Sequence, residues 1–400
     1  YLDAISYAEK GVACIEKLSE SDANQKKLID ARSLLAGYHM SINHHVEAKE
    51  AVVPIVELAE KINYHKRLPT IYIALGSYSL LIDEDLSKGV QFLNEALKIS
   101  KKTKDYFSMW AAFWFTALGL YYENEIKKSI GYLNKGIALS EAGNHQGPAI
   151  FLKSYIVTWF YPWQGKIDPA EQVSLECLRV AEESGDIYYK TPAYISYGVL
   201  SYVKGDFDTA ESYLLQALAF SEKTGHYTNW MTAGQFIFEL YISMGEYKEA
   251  RKYFEKMISI LEPTKYRLSE IGLYKVGLAR TKISNPDHNV DIDEVLKFYS
   301  DIRSTAMQHR CARYVCDIFL NTDLQKDKAE YWIKNVIETD NKNSFIFYLG
   351  QDYARYAEFY KKRGDLSKAR ENLNKAIEIM REFGADGWVH KYEKQLTVLS

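Results

Sequence analysis

"GDFDTAESYLLQAL", residues 205–218, holds the pattern that decides the fold. A Gly–Asp turn leads into a hydrophobe, Phe207. A small residue, Ala210, follows three positions later, with Leu214 and Ala217 at +4 and +7 from it. On a helix these positions share one face, so the segment has an apolar stripe with a small residue at its centre. A small residue at that point lets a neighbouring helix come close.

The same frame recurs along the chain. It is clear in "GEYKEARKYFEKMI" (245–258), "GDLSKARENLNKAI" (364–377), "EDLSKGVQFLNEAL" (84–97), "NEIKKSIGYLNKGI" (124–137) and "GKIDPAEQVSLECL" (165–178), and again in "VDIDEVLKFYSDI" (290–302). With looser copies included, the small position falls at Ala4, Ala48, Gly89, Ser129, Ala170, Ala210, Ala250, Val295, Ala329 and Ala369. Six of the nine intervals are 40 or 41 residues; 45 and then 34 bracket the irregular "SNPDHNVDID" (284–293). A fixed period of this length marks a repeat array, in which each helix hairpin hides its apolar face only by stacking on the next. Upstream of each frame lies another helical stretch, such as "TPAYISYGVLSYVK" (191–204). Gly143, Gly185 and Gly225 are placed to take the left-handed conformation that ends a helix. The expected fold is all-α: a right-handed superhelix of stacked helix hairpins.

The small residue, the turn and the spaced hydrophobes resemble tetratricopeptide repeats across essentially the whole chain. Their usual period is 34, so a period near 40 implies longer helices. That longer form resembles the helical sensor regions of bacterial signal-transduction ATPases of the MalT type and of those attached to class III nucleotide cyclases. The tail "AEFYKKRGDLSKARENLNKAIEIMREFGADGWVHKYEKQL" (357–396) looks most like the cyclase-linked group. The expected organisation is one array over 1–400: a partial first repeat (1–18), nine hairpins (19–385) and a capping helix (386–400). In that cap Trp388 and Tyr392 cover the last hairpin, while Lys391, Glu393 and Lys394 face water. The chain opens "YLDAISYAEKGVACIEKL" with no initiator Met, and Leu2, Ile5, Ala8, Val12 and Ile15 already keep helical spacing. This points to a piece of a longer bacterial signalling protein.

Composition narrows the function classes. Fifty Lys plus Arg against 53 Asp plus Glu leave a net charge of −3, without the basic excess of a nucleic-acid module. The longest apolar run, "MWAAFWFTALGLYY" (109–122), is shorter than the roughly 20 residues a bilayer needs. Cys14, Cys177, Cys311 and Cys316 form no CxxC pair and read as reduced, mostly buried thiols of a cytoplasmic protein.

No nucleotide-binding loop, nucleophile elbow, zinc-protease or calcium-loop motif is present; "QGK" at 164–166 lacks the first glycine and the hydroxyl residue of a phosphate loop. His44–His45 reads as part of a solvated turn. His309 and Cys311 point apart on a helix and make no catalytic pair. The carboxylates read as outer-face residues with no privileged pair. Neither a cofactor nor a metal site is expected, and the chain itself reads as non-catalytic.

Surfaces remain. The resemblance implies that the first helix of each hairpin lines a concave face, with ligand-facing positions near −15, −11, −8 and −7 from the small residue. These map to Trp114, Leu118, Tyr121 and Tyr122 in the third hairpin, and to Tyr155, Trp159, Pro162 and Trp163 in the fourth. The fifth gives Ile195, Val199, Tyr202 and Val203, the sixth Gln235, Glu239, Ile242 and Ser243, and the last Ala354, Glu358, Lys361 and Lys362. "TWFYPWQGK" (158–166) falls at the end of the fourth inner helix. Its aromatics either fill space between long helices or, with Trp114, Tyr121 and Tyr155, floor a groove. Trp159 and Trp163 are the leading site candidates. "NPDHNVDID" is likewise either a tolerated insertion or a binding edge.

Two functions fit. One is a scaffold that binds a protein or peptide, or the missing N-terminal part of its own chain, in the groove. The other, implied by the MalT resemblance, is a sensor for a small molecule such as a saccharide, attached to an ATPase or cyclase. Neither requires nucleic acid or a membrane.

Overall fold

In a computed structural model, residues 2–264, 266–283, 290–322 and 326–399 are described. Among them the regular structure is helical throughout, with no strand. The opening helix is α1 (Leu2–Ile15). Hairpins follow as α2 (Asp22–Ser41) with α3 (His45–Val52) and α4 (Val56–Lys61); α5 (Leu68–Leu81) with α6 (Leu86–Thr103); and α7 (Tyr106–Tyr122) with α8 (Ile126–Ala142). Next come α9 (Gln146–Trp159) with α10 (Ile167–Ser184), α11 (Ile187–Lys204) with α12 (Phe207–Thr224), and α13 (Tyr227–Met244) with α14 (Tyr247–Thr264). The chain ends in α15 (Leu268–Lys282) with α16 (Ile292–Asp301), α17 (Thr305–Asn321) with α18 (Lys326–Asn343), α19 (Ile346–Lys362) with α20 (Leu366–Glu382), and the closing α21 (Asp386–Val398).

The repeat frame is the second helix of each hairpin. Every small position from Ala48 to Ala369 is buried, and Ala4 is half-buried. The close approach is literal at Gly89: a Cβ there would lie 2.4 Å from Leu80 Cγ on α5. At Ser129 the hydroxyl donates to the Ala117 carbonyl at 2.7 Å and satisfies itself inside the interface. Aspartates after the turns serve as caps, whereas Glu125 makes no side-chain cap. Asp85, Asp105, Asp206 and Asp365 each accept from the backbone N–H three residues on, at 2.9–3.2 Å, which satisfies an orphan donor of the new helix. Gly185 and Gly225 take the expected left-handed conformation. Gly143 does not: its φ is −91°, and Asn144 carries the positive φ of 54° instead. Between α3 and α4 the helix tightens to a single 3₁₀ turn at Val53–Ile55, where Pro54 has no N–H to give the ladder.

The chain divides into two compact units, each described by itself: Tyr1–Leu152 with Gly225–Thr228 and Leu261–Leu268, and Lys153–Thr224 with Asn229–Ile260 and Ser269–Ser400. In the first, His45 departs from expectation. Its ring is buried, with Nδ1 3.0 Å from Ser77 Oγ, stacked on Tyr266 at 5.8 Å and edge-on to Phe115. Burial, with His44 beside it, holds its pKa down at about 3, so it is a neutral core residue. Of the irregular stretch after α15, residues 284–289 lie outside the described residues; Asp291 caps α16.

Candidate functional site

Trp114, Tyr121 and Tyr122 belong to the first unit. Trp114 is 9% exposed and meets Phe151 edge-on at 4.8 Å; Tyr121 is buried against Tyr122 at 5.2 Å. Tyr122 is half-buried, with the Arg267 guanidinium 3.7 Å over its ring. Arg267 is itself fixed by its backbone N–H, which donates to the Leu81 carbonyl at 2.9 Å.

The other six candidates lie in the second unit. Trp163 follows α9 in a 3₁₀ turn, yet it is only 3% exposed. Its indole Nε1 donates to the Thr158 carbonyl at 2.8 Å, satisfying one of the free acceptors at the end of α9. Its ring stacks parallel to Tyr348 at 4.9 Å and 2°, and to Phe236 at 5.7 Å and 11°. Beyond Tyr348 the stack continues with Arg313, whose guanidinium is 3.8 Å over that ring. The aromatic run at the end of α9 thus joins α9 to α13, α17 and α19. Trp159 and Tyr155 remain half-buried; Trp159 packs on Phe236 at 5.2 Å and has the Arg310 guanidinium 5.5 Å over it. Tyr202 is buried, its hydroxyl 3.1 Å from Ser243 Oγ. The Gln235 amide orients its oxygen to accept from Arg310.

Glu239 opens a ladder of charge that runs through successive first helices. It accepts from the Tyr314 hydroxyl and lies 3.8 Å from Arg280 of α15. Arg280 pairs with Asp317 of α17, and Asp317 accepts from Arg355 Nε of α19 at 2.8 Å. Arg355 Nη1 reaches Asp352 at 2.8 Å. Arg280 Nη1 makes no hydrogen bond among the described residues. Glu239 and Arg355, at the two ends of the ladder, are half-buried, while Arg280, Asp317 and Asp352 lie deep in the unit.

Asp340 of α18 and Asp352 form a buried carboxyl pair, where sequence reading found no privileged pair. Asp340 is fully buried; Arg313 Nη2 donates to its two oxygens at 2.6 and 2.8 Å, and His309 Nε2 lies 2.9 Å away. Burial alone would raise its pKa, but Arg313 and His309 outweigh burial and hold it low. Asp352 shifts the other way. Burial first, and then the Asp340 charge, push it well above the usual carboxylate range. Its Oδ2 has no donor in reach, so the bond between the two carboxyls is made by the proton Asp352 keeps. Burial and Arg313 keep His309 neutral, so its contact with Asp340 is a hydrogen bond. Cys311 is buried and bound to no histidine chemistry, its thiol pushed up by burial alone.

In the last hairpin the inward residues are Asp352 and Arg355. Glu358 and Lys361 instead pair with each other at the surface, and Lys362 reaches the Leu320 carbonyl at 3.1 Å. The signal for the ladder was nevertheless present: one or two charges inside apolar runs, in "FIFELYI", "VGLARTK", "YVCDIFL" and "LGQDYARYA".

Scanned against protein families, the chain matches the tetratricopeptide repeat over residues 239–260 and 353–382. The described residues are all-α and arranged as successive helix hairpins, and those two segments are similar to the tetratricopeptide repeat. No curated protein matches it. Among solved structures it is similar to the apo form of RapI, at 13% identity and TM-score 0.44, covering 95% of this chain and 97% of that one. It is similar to aspartyl phosphate phosphatase F from Bacillus subtilis at 13% and 0.45, covering 90% and 96%. A signal-transduction ATPase with a tetratricopeptide repeat sensor from Pyrococcus horikoshii matches at 15% and 0.41, over 99% of this chain and 55% of that one. Among the described residues no helix is long and apolar enough to cross a membrane, and no group of ligating side chains could hold a metal ion.

Proposed function

We propose that the protein is a non-catalytic binding module that takes a protein or peptide partner on the inner face of its second unit. The supporting observation is the ladder Glu239–Arg280–Asp317–Arg355, built of one residue from each of four successive first helices. Buried ion pairs stabilise a fold no better than apolar residues of the same shape, because desolvation offsets their attraction. The ladder's half-buried ends, Glu239 and Arg355, are the charges left within reach of a polar partner. Trp159, Tyr155 and Glu239 are the candidates that keep exposed surface beside it. Its role within a larger cytoplasmic signalling chain belongs to the same proposal. Trp163, buried in its stack, has no ring face to offer a sugar, and the peptide reading is preferred on that ground.

Peptides selected from a displayed random library against the whole chain test this reading. Glu239→Gln and Trp159→Ala, each checked by circular dichroism, should weaken the selected peptides about tenfold or more. If the peptides bind both variants as tightly as the parent chain, the inner face is not the site.

A further inference from the structure

In the first unit, α5 and α7 carry no charged side chain between Leu68 and Leu81 or between Tyr106 and Tyr122. The wall they form is therefore apolar wherever it is uncovered, and it is uncovered at the start of α7. Phe107 is 78% exposed, and among the described residues no large hydrophobic side chain is more so. Phe107, Trp110 and Trp114 stand at i, i+3 and i+7, on one helical face. The Phe107 ring stacks on Trp110 at 6.5 Å, and Phe151 of α9 meets Trp110 at 5.8 Å and Trp114 at 4.8 Å. Trp110 and Phe151 are half-buried, and Trp114 is the floor beneath them. Single exposed apolar side chains are ordinary on a surface. Phe107 differs because it heads a row of four rings that runs inward from it.

The turn before this row is basic. In "KKTKDYF" (101–107) three lysines stand just ahead of the ring. Lys101 and Lys102 lie in the last turn of α6, where the helix dipole favours cations, and Lys104 follows in the left-handed cap with a φ of 56°. All three are exposed, and among the described residues no carboxylate pairs with any of them. The acids nearest in sequence are already engaged: Glu95 binds Lys98 at 3.2 Å, and Asp105 accepts from the Ser108 N–H at 3.1 Å. An open ring thus stands beside three unneutralised charges. What complements both at once is an apolar side chain flanked by carboxylates.

Three kinds of anionic partner share that charge. A bilayer surface takes up several apolar side chains together, whereas Phe107 projects with only Tyr106, 55% exposed, beside it. A single strand of nucleic acid stacks its bases on flat platforms, but Phe151 stands at 57° to Trp110 and 76° to Trp114, which makes a notch. A notch fits one apolar side chain. We propose that the start of α7 docks an acidic segment of a partner protein, with an apolar side chain seated against Phe107 and Trp110 and the flanking carboxylates on Lys101, Lys102 and Lys104. The site lies in the first unit and does not depend on the inner-face ladder of the second.

Random peptides displayed on phage, selected on the whole chain in the presence of excess Phe107→Ala chain, test the proposal. The competitor takes up binders of every other surface, the inner face included, so failure here leaves that reading untouched. Phe107 is exposed, so its loss should spare the fold, which circular dichroism checks. The surviving peptides should be enriched in aspartate and glutamate beside tryptophan, phenylalanine or leucine. By fluorescence anisotropy they should bind the Phe107→Ala chain about tenfold more weakly than the parent chain. Joint Lys101→Gln, Lys102→Gln and Lys104→Gln substitution should weaken them about fivefold and flatten the salt dependence. No surviving peptide, survivors without acidic enrichment, or binding that the lysine variant leaves unchanged overturns the proposal. So does a parent chain that binds phosphatidylserine vesicles or single-stranded DNA more tightly than those peptides, with the same dependence on Phe107.

Discussion

Asp340 and Asp352 shift in opposite directions because Arg313 and His309 outweigh burial at Asp340, whereas burial and then the Asp340 charge prevail at Asp352. The sign of the pH dependence follows. Asp352 holds its proton above the ordinary 3.8, so the stability it contributes is full below that pH and is lost as pH rises towards its folded value. Asp340 is depressed, so its contribution is present above 3.8 and is lost as pH falls. Asn at 352 keeps a donor for Asp340 and has nothing to ionise. Asp352→Asn should therefore gain on the parent chain as pH rises, by up to about 1.4 kcal/mol per unit while the pair titrates. Urea denaturation between pH 5 and 8 reads this difference; a constant gap would place the proton elsewhere. Asp340→Asn should instead destabilise by about 3–5 kcal/mol, since it leaves Arg313 buried without its carboxylate. These roles could not be read from sequence. Asp352 and Arg355 stand out as charges in an apolar run, but only packing decides that they face Asp340 and Asp317, two residues before and one residue after Ala354 of the family register.

At the scale of the element, the end of α9 is where sequence reading left two alternatives, and Trp163 shows why. A tryptophan after a helix-ending proline carries no sign of its neighbours. Its burial depends on Tyr348 and Phe236, which are distant in the chain. Caps and small positions were legible because they depend on residues within one turn. Trp163→Phe should keep the stack and lose the bond to Thr158, at about 1 kcal/mol, whereas Trp163→Ala also opens a cavity, at about 3–5 kcal/mol. Thermal unfolding of the two variants separates these terms. The closing helix supports a second comparison. The sequence places Lys391 in water, yet the structure buries most of it, and its Nζ donates to the Ser243 carbonyl. Burial, then the Arg355 charge, lowers the Lys391 pKa from 10.5 to about 8. A lowered lysine contributes its stability above 10.5 and loses it as pH falls through 8, so near neutrality the buried charge is a burden. Lys391→Met should raise stability by up to about 3 kcal/mol below pH 8, less the lost Ser243 bond, and the gain should shrink towards zero by pH 10.5.

At the scale of the whole molecule, the small-residue face of each second helix packs on its own hairpin partner, so much of the stability is a sum of local terms, to which the long-range contacts of Trp163 and Trp388 add. That is also why the all-α repeat order was legible: ten phased copies of one frame outweigh any single irregular segment. What was not legible is which inner residues meet across several hairpins, since no period encodes it. The local character can be tested at Gly89, where the array tolerates no side chain. A Cβ would lie 2.4 Å from Leu80 Cγ, 2.7 Å from its Cδ2 and 3.1 Å from the Gly76 oxygen. Leu80 can turn aside but the Gly76 backbone cannot, so Gly89→Val should destabilise by about 1–3 kcal/mol through overpacking. In a cooperative globule that loss would spread to every amide. In an array of nearest-neighbour terms it should stay near its source: α5, α6 and α7 should lose hydrogen-exchange protection, while α19 and α20 keep theirs. A uniform loss along the chain would show that the repeats unfold as one body, and the sum of local terms would have to be abandoned.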